Sequence, residues 1–124
     1  MHGYFDAQDG RPKVVIEIKG TRRTVVKQLA ALFDTGHNGS LSLPVINLIE
    51  IAAKLSSIGE AEMADGHKRT VYYFSVKVII DGNEKIVEAG LIDNPDATEA
   101  IAGTELFAPY VATIDFKNKT IIFK

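Results

Sequence analysis

The chain has 124 residues, 46% of them hydrophobic and 24% charged, and its formal net charge is −2 at pH 7. These values are typical of one globular domain with a buried core, and they exclude the basic surface that nucleic-acid binding requires. Cysteine, an apolar run of membrane-spanning length and a signal-peptide pattern are all missing, so we exclude disulfides, thiol chemistry and membrane spans and expect a cytoplasmic protein.

The N-terminal part of the chain predicts a lead-in followed by two strands. Residues 1–13 contain turn formers and little periodicity, which predicts a flexible lead-in before a single domain over residues 14–124. Lys13 to Lys19 is β-branched and alternating, which predicts a strand. Thr24 to Phe33 predicts a second strand whose last part is apolar on both faces, as in the middle of a packed domain.

A short strand and a helix are predicted next. Residues 39–43 alternate, which predicts a strand with Leu41 and Leu43 facing inward. Apolar residues recur at helical spacing over residues 45–57, and Gly59 is a plausible stop. We therefore predict one long helix, packed against the core.

The rest of the chain predicts hairpins. Asp65-Gly66 separates two strand-like runs, the second spanning residues 70–80, and Asp81-Gly82 returns the chain for another strand. After a loop over residues 93–98, a short helix is predicted at residues 104–107. A last hairpin pairs residues 111–116 with residues 120–123, so the fold class is mainly β with one helix.

The tripeptide Asp34-Thr35-Gly36 ends the apolar second strand and poses the main question of function. Aspartate, threonine and glycine all favour turns, so a structural turn explains it. By composition alone the tripeptide occurs in about 2% of chains of this length. The alternative is a carboxylate held at the bottom of a cleft for chemistry.

The context of this tripeptide resembles the retropepsin-like aspartic proteases, in particular the single-domain bacterial group. The run DTGHNG at residues 34–39 is followed by LSLP at 41–44, and MADG at 63–66 is similar to the tip of the family's flap. The segments IAGTEL (101–106) and ATIDF (112–116) also match in order. The resemblance implies a small, closed, β-barrel-like acid protease fold with one helix and a flap hairpin.

The resemblance also implies a catalytic role for Asp34 and a supporting role for Thr35 and Gly36. Aspartic proteolysis uses two carboxylates that share one proton and hold the attacking water, without a cofactor. None of the other seven aspartates lies in such a motif. The resemblance therefore implies a homodimer that supplies one Asp34 per subunit and cleaves polypeptide.

Substrate would bind as an extended strand along backbone groups at Gly36 and, on the flap, at Ala64, Asp65 and Gly66. The flap would then close over it. Apolar walls suited to hydrophobic side chains would come from Ile46, Val71 or Ile101.

Several interpretations stay open at this point. The same fold could serve as a non-catalytic dimerisation or peptide-binding module, or an unrelated small β domain could carry the tripeptide by accident. His37 is either a partly exposed turn residue or a charge that tunes the carboxylate pair. His2, His37 and His67 lack the spacing of metal ligands, so we predict no metal site.

Overall fold

The computed structural model describes residues 2–22 and 24–124. This part of the chain contains ten strands, a single α-helix and a single 3-10 helix. The strands are β1 (His2–Phe5), β2 (Pro12–Gly20), β3 (Val26–Phe33), β4 (Leu41–Leu43), β5 (Lys54–Glu62), β6 (Lys68–Ile80), β7 (Asn83–Leu91), β8 (Ile101–Ala102), β9 (Ala112–Asp115) and β10 (Thr120–Phe123). The α-helix is α1 (Val45–Glu50), and the 3-10 helix spans Thr104–Phe107. No helix in the described ranges is long and apolar enough to cross a membrane.

All ten strands belong to one sheet. Their order is β5-β6-β7-β4-β8-β3-β2-β1-β10-β9, and β6 pairs additionally with β2, so the sheet folds back on itself. The pairs β3–β8 and β4–β7 are parallel and the others are antiparallel. The mainly β class with one α-helix is confirmed.

Alternating apolar residues of these strands build the core. In β2, Val14, Ile16 and Ile18 are at most 1% exposed, while Val15 between them is 44% exposed. Leu41 and Leu43 of β4 are buried, as their alternation predicts. Each buried aliphatic side chain of this size contributes roughly 1.5–3 kcal/mol, so the inward faces of the strands hold the fold together.

The predicted flexible lead-in over residues 1–13 is wrong where the chain forms β1 and the start of β2. Strand β1 pairs with both β2 and β10. Gly3 is buried there, and a Cβ at this position would lie 2.6 Å from the carbonyl oxygen of Lys13. The partner strand β10 is at the other end of the chain, so local periodicity gave no sign of the pairing.

The helix predicted over residues 45–57 is much shorter in the structure. α1 ends at Glu50, and Ala52 has a positive φ of 51°, which a helix interior does not permit. From Lys54 the chain pairs with β6, and Gly59 lies inside β5 instead of stopping a helix. Pairing with the exposed edge of β6 overrides the helical periodicity of this segment.

The three predicted hairpins are present. β5 and β6 join through a turn in which Gly66 has φ of 86°, and β9 pairs with β10. Between β6 and β7, Asp81 and Gly82 have φ of 51° and 77° and close a two-residue turn. Two positive φ angles at an Asp-Gly pair are typical of the tight turn that matches the strand twist.

A buried ion pair connects β2 to the segment before β8. Lys13 is 5% exposed, and its ammonium contacts Glu99 and lies 3.2 Å from Asp9. The hydrogen bond to Glu99 raises the pKa of Lys13 above its usual range. Burial acts in the opposite direction and lowers the pKa, while the contact with Asp9 raises it further.

We expect Glu99→Gln to lower the free energy of unfolding by about 1–2 kcal/mol at pH 8, because a buried ammonium loses its main partner while Asp9 remains. The pKa of Lys13 is higher in the folded than in the unfolded chain. The ion pair therefore stabilises the fold fully below the usual lysine pKa of about 10.4, and this stabilisation is lost as the pH rises through the folded-state pKa. Urea unfolding of both proteins between pH 7 and 11.5 tests this. The prediction would be contradicted if the two proteins had the same free energy of unfolding at pH 8. It would also be contradicted if the difference between them grew above pH 10.5.

Candidate active site

Asp34 lies where three strands meet. Strand β8 runs between β3 and β4, parallel to the first and antiparallel to the second, and Ala102 pairs with both Phe33 and Leu41. The backbone N–H of Asp34 donates to the carbonyl oxygen of Ala102 at 3.0 Å. The loop over residues 34–40 therefore leaves β3 on one side of β8 and enters β4 on the other.

The carboxylate of Asp34 also shapes its own turn. The Oδ1 atom of Asp34 accepts a hydrogen bond from the Gly36 N–H at 2.9 Å, and the backbone carbonyl oxygen of Asp34 accepts one from the His37 N–H at 3.2 Å. The predicted Asx-type turn is present. Asp34 is half-buried while Thr35 and Gly36 are exposed, and no hydrogen bond to Oδ2 forms within the described ranges. Oδ1 of Asp34 thus holds the loop, and Oδ2 does not take part in the turn.

The segment after β8 anchors the rest of the loop. Thr104 donates to the His37 carbonyl oxygen through its N–H at 2.9 Å and its hydroxyl at 3.3 Å. Gly103 N–H donates to the Ser40 carbonyl oxygen at 2.9 Å. A Cβ at Gly103 would lie 2.7 Å from the His37 carbonyl oxygen. The loop packs directly against Gly103. The sequence around Gly103 did not indicate this supporting role.

An aromatic cluster supports the end of β3. The ring of Phe33 makes edge contacts with Phe107 at 5.2 Å and with Phe123 at 5.3 Å between centroids. Phe107 and Phe123 stack at 4.7 Å, and Tyr110 packs on both. Such pairs add about 0.5–1.5 kcal/mol each beyond the burial of their area. Phe33, the residue directly before Asp34, is therefore held in place by side chains of β10 and of the 3-10 helix.

A cleft of about 460 Å³ opens beside the loop. The loop side contributes His37, Gly39 and Ser42, and the β5–β6 hairpin lies opposite. Of the apolar wall residues predicted, Val71 and Ile101 line it. Ile46 does not: it is 50% exposed on α1. The hairpin and the remaining wall contribute Ala61, Met63, Arg69, Tyr73, Glu88 and Leu91.

The other predicted site residues lie around this cleft and not in its wall. Asp34, Thr35 and Gly36 are at the start of the loop, and the lining begins at His37. Ala64, Asp65 and Gly66 are exposed at the hairpin tip, beyond the lining residue Met63. Asp65 Oδ1 accepts from the His67 N–H at 2.9 Å, as a turn residue does.

His37 is half-buried and faces the cleft. Its Nε2 lies 3.2 Å from the Ser42 hydroxyl, so the ring is oriented by β4 as well as by its own loop. Neither Ser42 nor Glu88 was predicted as a site residue: Ser42 was noted only as part of the LSLP run, and Glu88 lies on a strand that carries no motif. In the described parts of the chain, no three His, Asp or Glu side chains are grouped to hold a metal ion.

Comparison with known proteins places the fold. No family model matches the chain, and no curated protein matches it in sequence. Among solved structures, the chain is similar to EIAV protease complexed with the inhibitor HBY-793, with a TM-score of 0.57 and 17% sequence identity. The match covers 84% of this chain and 91% of that protein. At this identity the likeness shows the fold alone: the chain has a retropepsin-like fold.

Proposed function

We propose that the protein is a homodimeric aspartic endopeptidase of the single-domain bacterial group, with Asp34 as its catalytic residue. The observation that carries this proposal is the position of Asp34. Its half-buried carboxylate ends a core strand, next to a cleft of about 460 Å³, in a retropepsin-like fold. A turn residue needs neither this fold nor a cleft at its side.

The proposed chemistry uses two Asp34 carboxylates, one from each subunit. One takes a proton from the bound water as the water attacks the scissile carbonyl carbon, and the protonated partner donates its proton to the carbonyl oxygen. The tetrahedral intermediate then collapses: the C–N bond breaks, the nitrogen takes the proton that the first carboxylate received from the water, and a hydroxyl of the intermediate returns a proton to the second carboxylate as the new carboxyl group forms. No metal or cofactor takes part in this sequence, and Gly36 keeps side chains away from the pair.

A second copy has a suitable surface in β9. This strand is at one end of the sheet, and its flanking residues Val111 and Phe116 are 70% and 73% exposed. Strand edges are usually protected by charged side chains, especially lysine, or by proline. β9 (ATID) has no lysine or proline, and the carboxylate of its one charged residue, Asp115, is bonded to Asn118. Phe123 of β10, the partner of Ala112, packs against Phe33. The edge strand β9 is thus linked through β10 to Phe33, the residue before Asp34.

We expect Ala112→Pro to prevent dimerisation. Val111 and Lys124 exchange both backbone hydrogen bonds, so the alternation of an antiparallel pair points the Ala112 N–H away from β10, toward the free edge. Proline there removes an edge donor and no hydrogen bond within the subunit. Sedimentation velocity should show a dimer for the parent and for Thr113→Ala, and a monomer for Ala112→Pro. A dimeric Ala112→Pro protein would exclude this edge.

The β5–β6 hairpin is the proposed flap. It forms one wall of the cleft through Ala61, Met63 and Val71, and its exposed tip holds Ala64 to Gly66. An extended polypeptide in the cleft would pair with backbone groups of the tip and of Gly36. Closure of the hairpin would then bring the tip, which lies outside the cleft wall, onto the substrate.

The proposal is tested by incubating the protein with a mixture of unfolded polypeptides between pH 3 and 7 and identifying new termini by mass spectrometry. We expect internal cleavage that a statine-type inhibitor blocks. Absence of cleavage by a protein shown to be dimeric would overturn the proposal in favour of a non-catalytic peptide-binding module.

A further inference from the structure

A β-bulge interrupts the pairing of β5 with β6 beside the cleft. Leu55 pairs with Phe74 and Ser57 pairs with Tyr73, so Ser56 is an extra residue without a partner in the ladder. In a regular strand, neighbouring side chains point to opposite faces. A bulge changes the direction of side chains and is frequent next to functional sites.

The bulge brings two neighbouring hydroxyl groups to one carboxylate. Ser56 Oγ and Ser57 Oγ donate to the same oxygen, Oε1 of Glu88, at 3.0 and 3.1 Å. Ser56 Oγ also lies 3.2 Å from the carbonyl oxygen of Tyr73. Glu88 is on β7, so the two serines reach across β6 to hold it. The carboxylate is oriented, and no hydrogen bond to its Oε2 forms within the described ranges.

Glu88 stands at the junction of two cavities. It lines the cleft beside the Asp34 loop and also a neighbouring cavity of about 550 Å³ that contains Lys85 and Glu105. The ammonium of Lys85 donates to the carbonyl oxygen of Leu106 at 3.3 Å.

The cation of the cleft itself is already paired. Arg69 bonds to Asp93, and the ring of His37 contacts Ser42. Glu88 is exposed at the wall of the cleft, serine hydroxyls hold its Oε1, and no ion pair among the described residues includes it. A carboxylate held in a fixed orientation beside a cleft attracts a cation, and charge-assisted hydrogen bonds are stronger than neutral ones.

We propose that Glu88 forms a specificity subsite for a lysine or arginine side chain of the bound polypeptide. The inference rests on the proposed function for the identity of the ligand as substrate. The apolar wall, including Val71 and Leu91, would pack the methylene stem of such a side chain while the charged end reaches Oε2.

The test is a binding competition on the Asp34→Asn protein, which cannot consume the peptides. A pool of random decapeptides, acetylated at the N-terminus and amidated at the C-terminus, carries lysine or norleucine at matched positions. Acetylation removes the α-amino group as an alternative cation. We expect bound peptides to be enriched in lysine over norleucine by about fivefold, the upper range for an ion pair at an exposed carboxylate.

Two variants in the Asp34→Asn background decide the origin of the enrichment. Glu88→Gln keeps an acceptor for both serines but removes the charge, and it should abolish the lysine preference. Glu105→Gln makes the same change in the neighbouring cavity, outside the cleft, and should retain it. No lysine preference in the parent, no bound peptides at all, or a preference that survives Glu88→Gln would overturn the subsite.

Hydrolysis by the protein with Asp34 intact separates the two proposals. Cleavage without lysine preference in binding would leave the peptidase proposal standing and remove the subsite. Lysine-selective binding without cleavage would remove the peptidase proposal and leave the subsite standing, because the subsite would then belong to a peptide-binding module.

Discussion

Replacing Asp34 by asparagine is expected to reduce peptide hydrolysis on the order of a thousandfold or more. Asparagine cannot accept the proton of the attacking water, and in the proposed dimer it cannot share a proton with the second carboxylate. Its amide oxygen can still accept the Gly36 N–H, which holds the turn through Oδ1 in the parent. We therefore expect the free energy of unfolding to change by less than about 1 kcal/mol.

The measurement compares initial rates on a fluorogenic peptide derived from the cleavage sites, with unfolding by urea measured in parallel. Asp96→Asn is the matched control, because Asp96 is exposed in the loop that follows β7. The control should retain full activity. If Asp34→Asn kept a tenth or more of the parent rate while folded, Asp34 would not be the catalytic residue.

Gly103→Ala is expected to lower the free energy of unfolding by about 2–4 kcal/mol, a typical range for a side chain forced into filled space. Gly103 has φ of −94° and ψ of 176°, an extended conformation open to any residue. What it requires is room. An added Cβ would overlap the carbonyl oxygen of Gly39 and lie 2.6 Å from Cδ2 of His37.

The overlap would displace the loop from the segment that anchors it, so we also expect peptide hydrolysis to be lost. Gly82→Ala is the control: Gly82 has φ of 77° but nothing within 4 Å of an added Cβ. Gly82→Ala should lower the free energy of unfolding by about 1 kcal/mol, through backbone strain alone, and leave peptide hydrolysis unchanged. A Gly103→Ala protein that is as stable as Gly82→Ala would show that the loop can move away without loss.

Local patterns predicted the parts of the fold that local physics decides. Alternation located β2 and β4, and the Asp-Gly pairs at residues 65–66 and 81–82 located two hairpin turns. The helix failed because its spacing of apolar residues continued past Glu50, whereas pairing with β6 determines the structure from Lys54 onward. Strand β1 was missed because its partner β10 is distant in sequence.

The candidate site divides in the same way. Asp34 and its turn were predictable from a contiguous motif, and the motif also indicated the retropepsin-like fold. The seat of the loop on Gly103 and the bulge at Ser56 depend on contacts between separate strands. Glu88 carries no sequence signal at all, since its position beside the cleft follows from the register of β6 with β7 and of β5 with β6.

The central claim is that each active site needs one Asp34 from each of two subunits. Wild-type and Asp34→Asn chains, refolded together in equal amounts at constant total concentration, test it directly. If the site is shared, only the wild-type homodimers are active, and the rate falls to about one quarter of that of the wild type alone. A rate of about one half, declining in proportion to the wild-type fraction, would contradict the claim, because each subunit would then carry a complete site.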